Sequence, residues 1–103
     1  VEWAVTPSGD MPGREFFLTQ TAKEQAKMIA TIGQLANGQR LPRERFQKLT
    51  DWELWELRGF QLRLLGNYRP DGRFIVAFGE QKKKDKLSRD VMQTALKLLR
   101  DHV

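Results

Sequence analysis

From Phe60 to Gly79 the chain alternates between apolar and polar positions. Phe60, Leu62 and Leu64 fall on one side of an extended segment, with Gln61 and Arg63 on the other. Phe74, Val76 and Phe78 alternate in the same way with Arg73, Ile75, Ala77 and Gly79. A period of two in segments rich in aromatic and β-branched residues predicts strands. Arg69-Pro70-Asp71-Gly72 stands between the two runs. Proline presets one turn dihedral and glycine tolerates a positive one, so the runs form a hairpin. Trp52 to Arg58 reads in two ways. As a strand it places Trp52, Leu54, Glu56 and Arg58 on one face; as a helix it groups Trp52, Trp55 and Glu56. Its tryptophans, with Gly59 just beyond, favour the strand. Three antiparallel strands then make a meander, with Arg58 and Arg63 projecting from neighbours.

Elsewhere the period lengthens. From about Arg14 to Ala36, Phe17, Thr21, Met28, Ile32 and Leu35 fall on one side of a helix, with Ala22, Ala26, Ile29 and Gly33 beside them. A break near Thr19 to Thr21 would divide it in two. Asn37-Gly38 closes it, since either residue adopts the left-handed conformation that ends helices. At the other end Ser88 suits an N-cap and Asp90 a first turn. Val91, Met92, Ala95, Leu96, Leu98 and Leu99 then form a broad apolar face. Val1 to Val5 alternates as a short strand, and Thr6 to Gly13, with two prolines and two glycines, is a loop. Gln39 to Thr50 reads as a basic connection anchored by Phe46 and Leu49, with Leu41-Pro42 opposing helix. The expected architecture is one α+β domain over residues 1–103. Its antiparallel sheet holds a short N-terminal strand and the three-strand meander, and an N-terminal helix or helical hairpin and a C-terminal helix cover one face.

Charge sharpens this picture. Net charge is +5 over 103 residues, and its distribution is uneven. Residues 1–37 carry three basic and four acidic side chains, whereas residues 82–103 carry seven basic and three acidic. Lys82-Lys83-Lys84-Asp85-Lys86, with Arg89 behind it, is a dense cationic run. By itself such a run reads as a solvated loop. Leaving a strand beside strands that offer further arginines, it points to a polyanion or an acidic protein. The absence of cysteine excludes a disulfide framework and thiolate metal sites and is compatible with a reducing cytoplasm. No membrane-length apolar run or signal peptide is visible, so no membrane role is expected. One histidine and scattered carboxylates give no metal-ligand spacing, and no cofactor is expected.

The series Trp55-Glu56-Leu57-Arg58, Arg63-Leu64-Leu65, Arg73-Phe74-Ile75-Val76, Gly79 and Lys82-Lys83, followed by a basic terminal helix, resembles the RelE superfamily of bacterial toxins, in particular its phage-derived, HigB-like branch. The resemblance covers the last half of the chain in motif and the first half in element order. It implies a RelE-like fold and a toxin of a type II toxin–antitoxin system, paired with a small helix-turn-helix antitoxin. It also implies metal-independent cleavage of messenger RNA on the ribosome. Arg58 matches the arginine of the family's Glu-Leu-Arg triplet, Arg63 that of the following strand, and Lys82 and Lys83 its double lysine. Phe78 and Glu80 stand where the family often carries histidine and phenylalanine.

RNA cleavage without a metal needs a base for the 2′-hydroxyl, a cation for the phosphorane and an acid for the leaving 5′-oxygen. Arginine suits the second task, so Arg63 is expected as the phosphate clamp. Lys82 or Lys83, crowded by other cations, is expected as base or second clamp. Arg58, Arg73, Lys84, Lys86 and Arg89 are expected to hold the RNA backbone. Against this, Arg58 and Arg63 also fit strand ion pairs with Glu53 or Glu56. Glu80 fits a salt bridge, His102 a surface position, and Trp3, Trp52 and Trp55 a core or a stacking role. Two further functions stay open: a ParE-like toxin that inhibits gyrase without catalysis, and a phage-derived protein that keeps the fold without toxicity.

Overall fold

The computed structural model describes residues 1–83 and 87–103. Five strands form one sheet in the order β1-β5-β4-β3-β2. They are β1 (Glu2–Trp3), β2 (Phe46–Leu49), β3 (Leu54–Gly59), β4 (Leu62–Tyr68) and β5 (Phe74–Gln81). The helices are α1 (Pro12–Leu18), α2 (Ala22–Ala36) and α3 (Arg89–Asp101). The expected meander is β3-β4-β5, and the expected N-terminal strand pairs parallel to β5, which makes the sheet mixed. The long helical pattern divides between Thr19 and Thr21. Thr21 Oγ1 accepts the Glu24 N–H and Glu24 Oε1 accepts the Thr21 N–H, a reciprocal cap that starts α2.

Three expectations need correction. The segment 39–50 is not only a connection, because β2 extends the sheet beside β3. Four residues between a proline turn and a polar turn are too short for periodicity to stand out. Arg45 ties its start to α2 by donating from Nη2 to Thr31 Oγ1 at 2.8 Å and Gln34 Oε1 at 2.5 Å.

The helices also cover both faces of the sheet rather than one. Phe17, Met28, Leu57, Leu62, Leu64, Phe74 and Val76 form a core under α1 and α2. Ala4, Leu54, Leu65, Ile75, Ala77, Ala95 and Leu99 form a second under α3. A strand buried on both sides must be apolar at consecutive positions, as Phe74-Ile75-Val76-Ala77 is. Trp3 and Trp55 belong to the first core. Trp3 packs on Phe17, and Trp55 stacks on Phe46 with centroids 4.7 Å apart.

The third correction concerns β5. Leu65 pairs with Phe78 and Gly66 with Val76, which leaves Ala77 as the extra residue of a β-bulge. Ala77 and Phe78 therefore both lie on the α3 side. Gly79 turns to the α1 side, where an added Cβ would lie 2.9 Å from the Phe16 ring. The expected pairing of Phe78 with Phe74 and Val76 on one face fails for this reason. Beyond β1, the free edge of β5 is covered by α1. The backbones approach so closely that a Cβ on Gly13 would sit 2.9 Å from the Ala77 carbonyl carbon. Among the described residues no helix is long and apolar enough to cross a membrane.

Candidate functional site

Helix α3 covers only part of its face of the sheet. Where it stops, the strand positions facing it turn from apolar to charged. Along β3 the sequence Leu54, Glu56, Arg58 runs from core to rim, and on β4 Leu65 gives way to Arg63. An open cleft of about 310 Å³ lies here, walled by Gln47, Glu56 and Arg58 from the sheet and by Trp52, Leu87 and Met92, with Lys82 at its edge.

Antiparallel register places Arg58 directly opposite Arg63, and Arg63 opposite Glu80. Like charges facing each other across strands repel. Glu56 answers one of them: its Oε1 lies 2.9 Å from Arg58 Nε, and the carboxylate is 4% exposed. Glu80 does not answer the other, because its Oε2 accepts the Ser88 N–H at 2.8 Å at the start of α3. The Arg63 guanidinium, 7% exposed, instead donates from Nη1 to the carbonyls of Phe60 at 2.8 Å and Leu62 at 3.0 Å. Its buried Nε has no hydrogen-bond partner among the described residues. Burial pushes the Arg63 guanidinium below the usual arginine value; Glu56 draws it back up, and Arg58 pushes it further down. Arginine stays charged throughout. Arg63 does not itself line the cleft, and its Nη1 is taken by the two carbonyls; Arg58, 26% exposed, and Lys82 are the cations that the cleft presents.

The other expected residues divide. Lys82 lines the cleft, and its backbone N–H donates to the Gln61 carbonyl at 2.7 Å, which fixes where the basic segment leaves β5. Lys83 is exposed and does not line the cleft. Arg89 lies over Trp52 at 5.9 Å from the ring centroid, at the rim. Arg73 is not brought here. It precedes β5 at the end opposite Lys82, and its guanidinium is held by Glu2 at 2.7 Å and Asp71 at 2.9 Å. Lys84 and Lys86 lie outside the described residues.

His102 does not line the cleft and accepts the Val5 N–H at Nδ1 at 2.9 Å. That is a structural role for the side chain expected at the surface. Sequence reasoning placed Glu56 only as an ion-pair partner and passed over Gln47. The signal for Glu56 is an acidic residue on the same strand face as buried Leu54; Gln47 had none, because β2 was not recognised.

No curated protein matches the chain. A family model does: the family described as phage-derived protein Gp49-like (DUF891) matches residues 15–100. That family belongs to the RelE/HigB-like toxin superfamily, and its members are commonly toxins of toxin–antitoxin pairs. The matched span runs from α1 through the cleft strands to the end of α3, and on that span the chain belongs to the Gp49-like family.

Proposed function

We propose that the protein is the toxin of a type II toxin–antitoxin pair and cleaves ribosome-bound messenger RNA without a metal. The observation that carries this reading is the opposed pair Arg58 and Arg63, with the Glu56 carboxylate beside Arg58 and, among the described residues, a buried Nε without a hydrogen-bond partner on each arginine. In this reading Arg63 and Arg58 hold the scissile phosphate. Glu56 takes the 2′-hydroxyl proton, and the 2′-oxygen attacks phosphorus to give a cyclic phosphate. The bond to the 5′-oxygen breaks, and the Lys82 ammonium supplies the proton to that oxygen. Glu56 replaces lysine as base because it is the buried carboxylate in the cleft, whereas Lys83 stands outside it.

The test is tightly controlled expression in a bacterium with RNA ends mapped, comparing wild type with Arg63→Ala, Lys82→Ala and, as a contrast, Arg73→Ala. Arrest with new cuts in translated messages, lost in the first two variants and retained in the third, is the expected result. Arrest without cuts would refute the nuclease.

A second reading, gyrase inhibition without catalysis, draws on Phe78. Where the superfamily often has histidine, this side chain packs beneath α3. A supercoiling assay with purified protein separates the two. Either reading implies an antitoxin that masks the cationic cleft.

A further inference from the structure

Of the three tryptophans, Trp3 and Trp55 pack into the core under α1 and α2. Trp55 is closed off there, stacked on Phe46. Trp52 is different. It rests against the α3 core, is half-buried, and lines the cleft. Leu49, at the end of β2, and Leu87 and Met92, around the start of α3, line it too and are also half-buried. Arg89, which is exposed, lies over the indole at 5.9 Å from the centroid, the far limit of such a contact. A cation thus approaches the ring without closing it off.

The cleft is graded in polarity along its length, and the strand register gives the order. Arg58 and Glu56 are two residues apart on β3, Gln47 stands opposite Glu56, and Leu49 opposite Leu54. Positions on one face of a strand recur about every 7 Å. Lys82 joins Arg58 at the end nearest the β3–β4 turn, where its N–H meets the Gln61 carbonyl. Trp52 joins Leu49 at the other end, its N–H donating to the Leu49 carbonyl at 3.3 Å. From one end to the other the cleft therefore offers cations, then the Gln47 amide, then a flat apolar wall. One nucleotide has the same sequence of needs: an anion, a hydrogen-bonding edge and an aromatic face. The volume of about 310 Å³ is at the small end of ligand sites, which suits a single nucleotide. An acidic side chain would satisfy Arg58 and Lys82 but leave Gln47 and Trp52 unused.

Resting on the nuclease reading above, we infer that the cleft holds one unpaired base of the RNA. Trp52 is its stacking platform, and the Gln47 amide, which both donates and accepts, bonds its edge, while Arg58 and Lys82 hold the adjoining phosphate. Trp52 and Gln47 are specificity-determining residues that set which nucleotide enters. The ligand is single-stranded RNA, since a base within a duplex has neither its face nor its pairing edge free.

The experiment measures anisotropy with a short single-stranded RNA whose 2′-fluoro sugars block cleavage, and with a base-free strand of the same number of phosphates. Wild type is expected to bind the intact RNA about tenfold more tightly than the base-free strand. Trp52→Leu should close that gap while binding the base-free strand as wild type does, and Trp52→Phe, with a smaller ring, should keep part of it. Arg58→Ala should weaken both strands alike. Gln47→Leu should keep the gap but flatten the differences in affinity among strands of A, C, G or U. An unchanged gap in Trp52→Leu would overturn the inference and leave the nuclease reading standing. Equal loss of both strands in Trp52→Leu and Trp52→Phe would overturn it too, because the ring would then only hold the fold. Four bases bound equally by wild type would remove Gln47 as the reader. Wild-type protein that binds either strand no better than Arg58→Ala would overturn the nuclease reading and this inference together.

Discussion

Glu56→Gln separates charge from shape at the centre of the cleft. Glutamine keeps the side-chain oxygen that faces Arg58 and removes the negative charge that pairs with Arg58 and acts on Arg63. The pair's gross attraction, for charges about 4 Å apart at an effective dielectric near 20, is about 4 kcal/mol. The Arg58 side chain is 26% exposed, so solvent screens much of this. The net loss is about 1–2 kcal/mol, which lowers Tm by roughly 5–15 °C in a domain of this size. The same substitution removes repulsion toward a bound phosphate. One charge acting over about 8 Å, in a setting intermediate between protein and water, is worth about 1 kcal/mol, so RNA should bind about fivefold more tightly. Loss of the base should slow cleavage by roughly 10²–10⁴. The assays are thermal unfolding, anisotropy with a non-cleavable RNA, and cleavage of ribosome-bound message. The opposite signs are what matter. Weaker RNA binding would mean that Glu56 acts by orienting Arg58, and unchanged cleavage would remove it as the base.

Glycine positions should respond in opposite directions. Gly79→Ala forces a Cβ against the Arg63 carbonyl oxygen and within 2.9 Å of the Phe16 ring, and should cost about 3 kcal/mol by urea unfolding. Gly33→Ala, in exposed helix with nothing within 4 Å, should add about 0.5–1 kcal/mol. Glu24 is held below the usual carboxylate range chiefly by the hydrogen bond from Gln81; burial opposes this, and the bonds with Thr21 add to the lowering. A depressed carboxylate stabilises the fold above its unfolded value and loses that contribution as pH falls through its folded value. The Tm gap between wild type and Glu24→Gln should thus be present at neutral pH and close in acid; a gap that persists at low pH would refute the linkage. His102→Ala should cost about 1 kcal/mol by leaving the Val5 N–H without its acceptor, and should speed amide exchange at Val5.

Much of the fold was legible because local signals agreed with one another. The Pro70–Gly72 turn, the Asn37-Gly38 stop and the Ser88 cap each act within a few residues, and the hydrophobic period on either side matched them. Signals that depend on distant partners were not legible. The two-sided burial of β5 needs α1 and α3 to be placed first, and the bulge at Ala77 is defined only against β4. In the site, alternation correctly set Arg58 and Arg63 on neighbouring strands facing one way. It could not show that Glu80, opposite Arg63 in register, would turn to Ser88 and leave that arginine without a paired carboxylate among the described residues. Arg73 misled for a related reason. It precedes the same strand as the basic run, but the strand's length carries it to the opposite end, where Glu2 and Asp71 take it.

The bulge at Ala77 acts as a parity switch for everything after it. Past this point Glu80 faces α3 and reaches Ser88, whereas Gln81 faces α2 and reaches Gln20 and Glu24 at 2.6 Å each. Deleting Ala77 would make the ladder regular, with Val76 still opposite Gly66 and Phe78 still opposite Leu65, so Glu80 and Gln81 would keep their faces and both anchors. Deleting one residue between Phe78 and Gln81 would instead exchange those two faces, detach both anchors and redirect the chain entering the basic segment. Tolerance to deletion along this strand is thus set by position relative to one residue: a deletion at the bulge should leave the cleft assembled, and one just past it should disable the cleft before it unfolds the core.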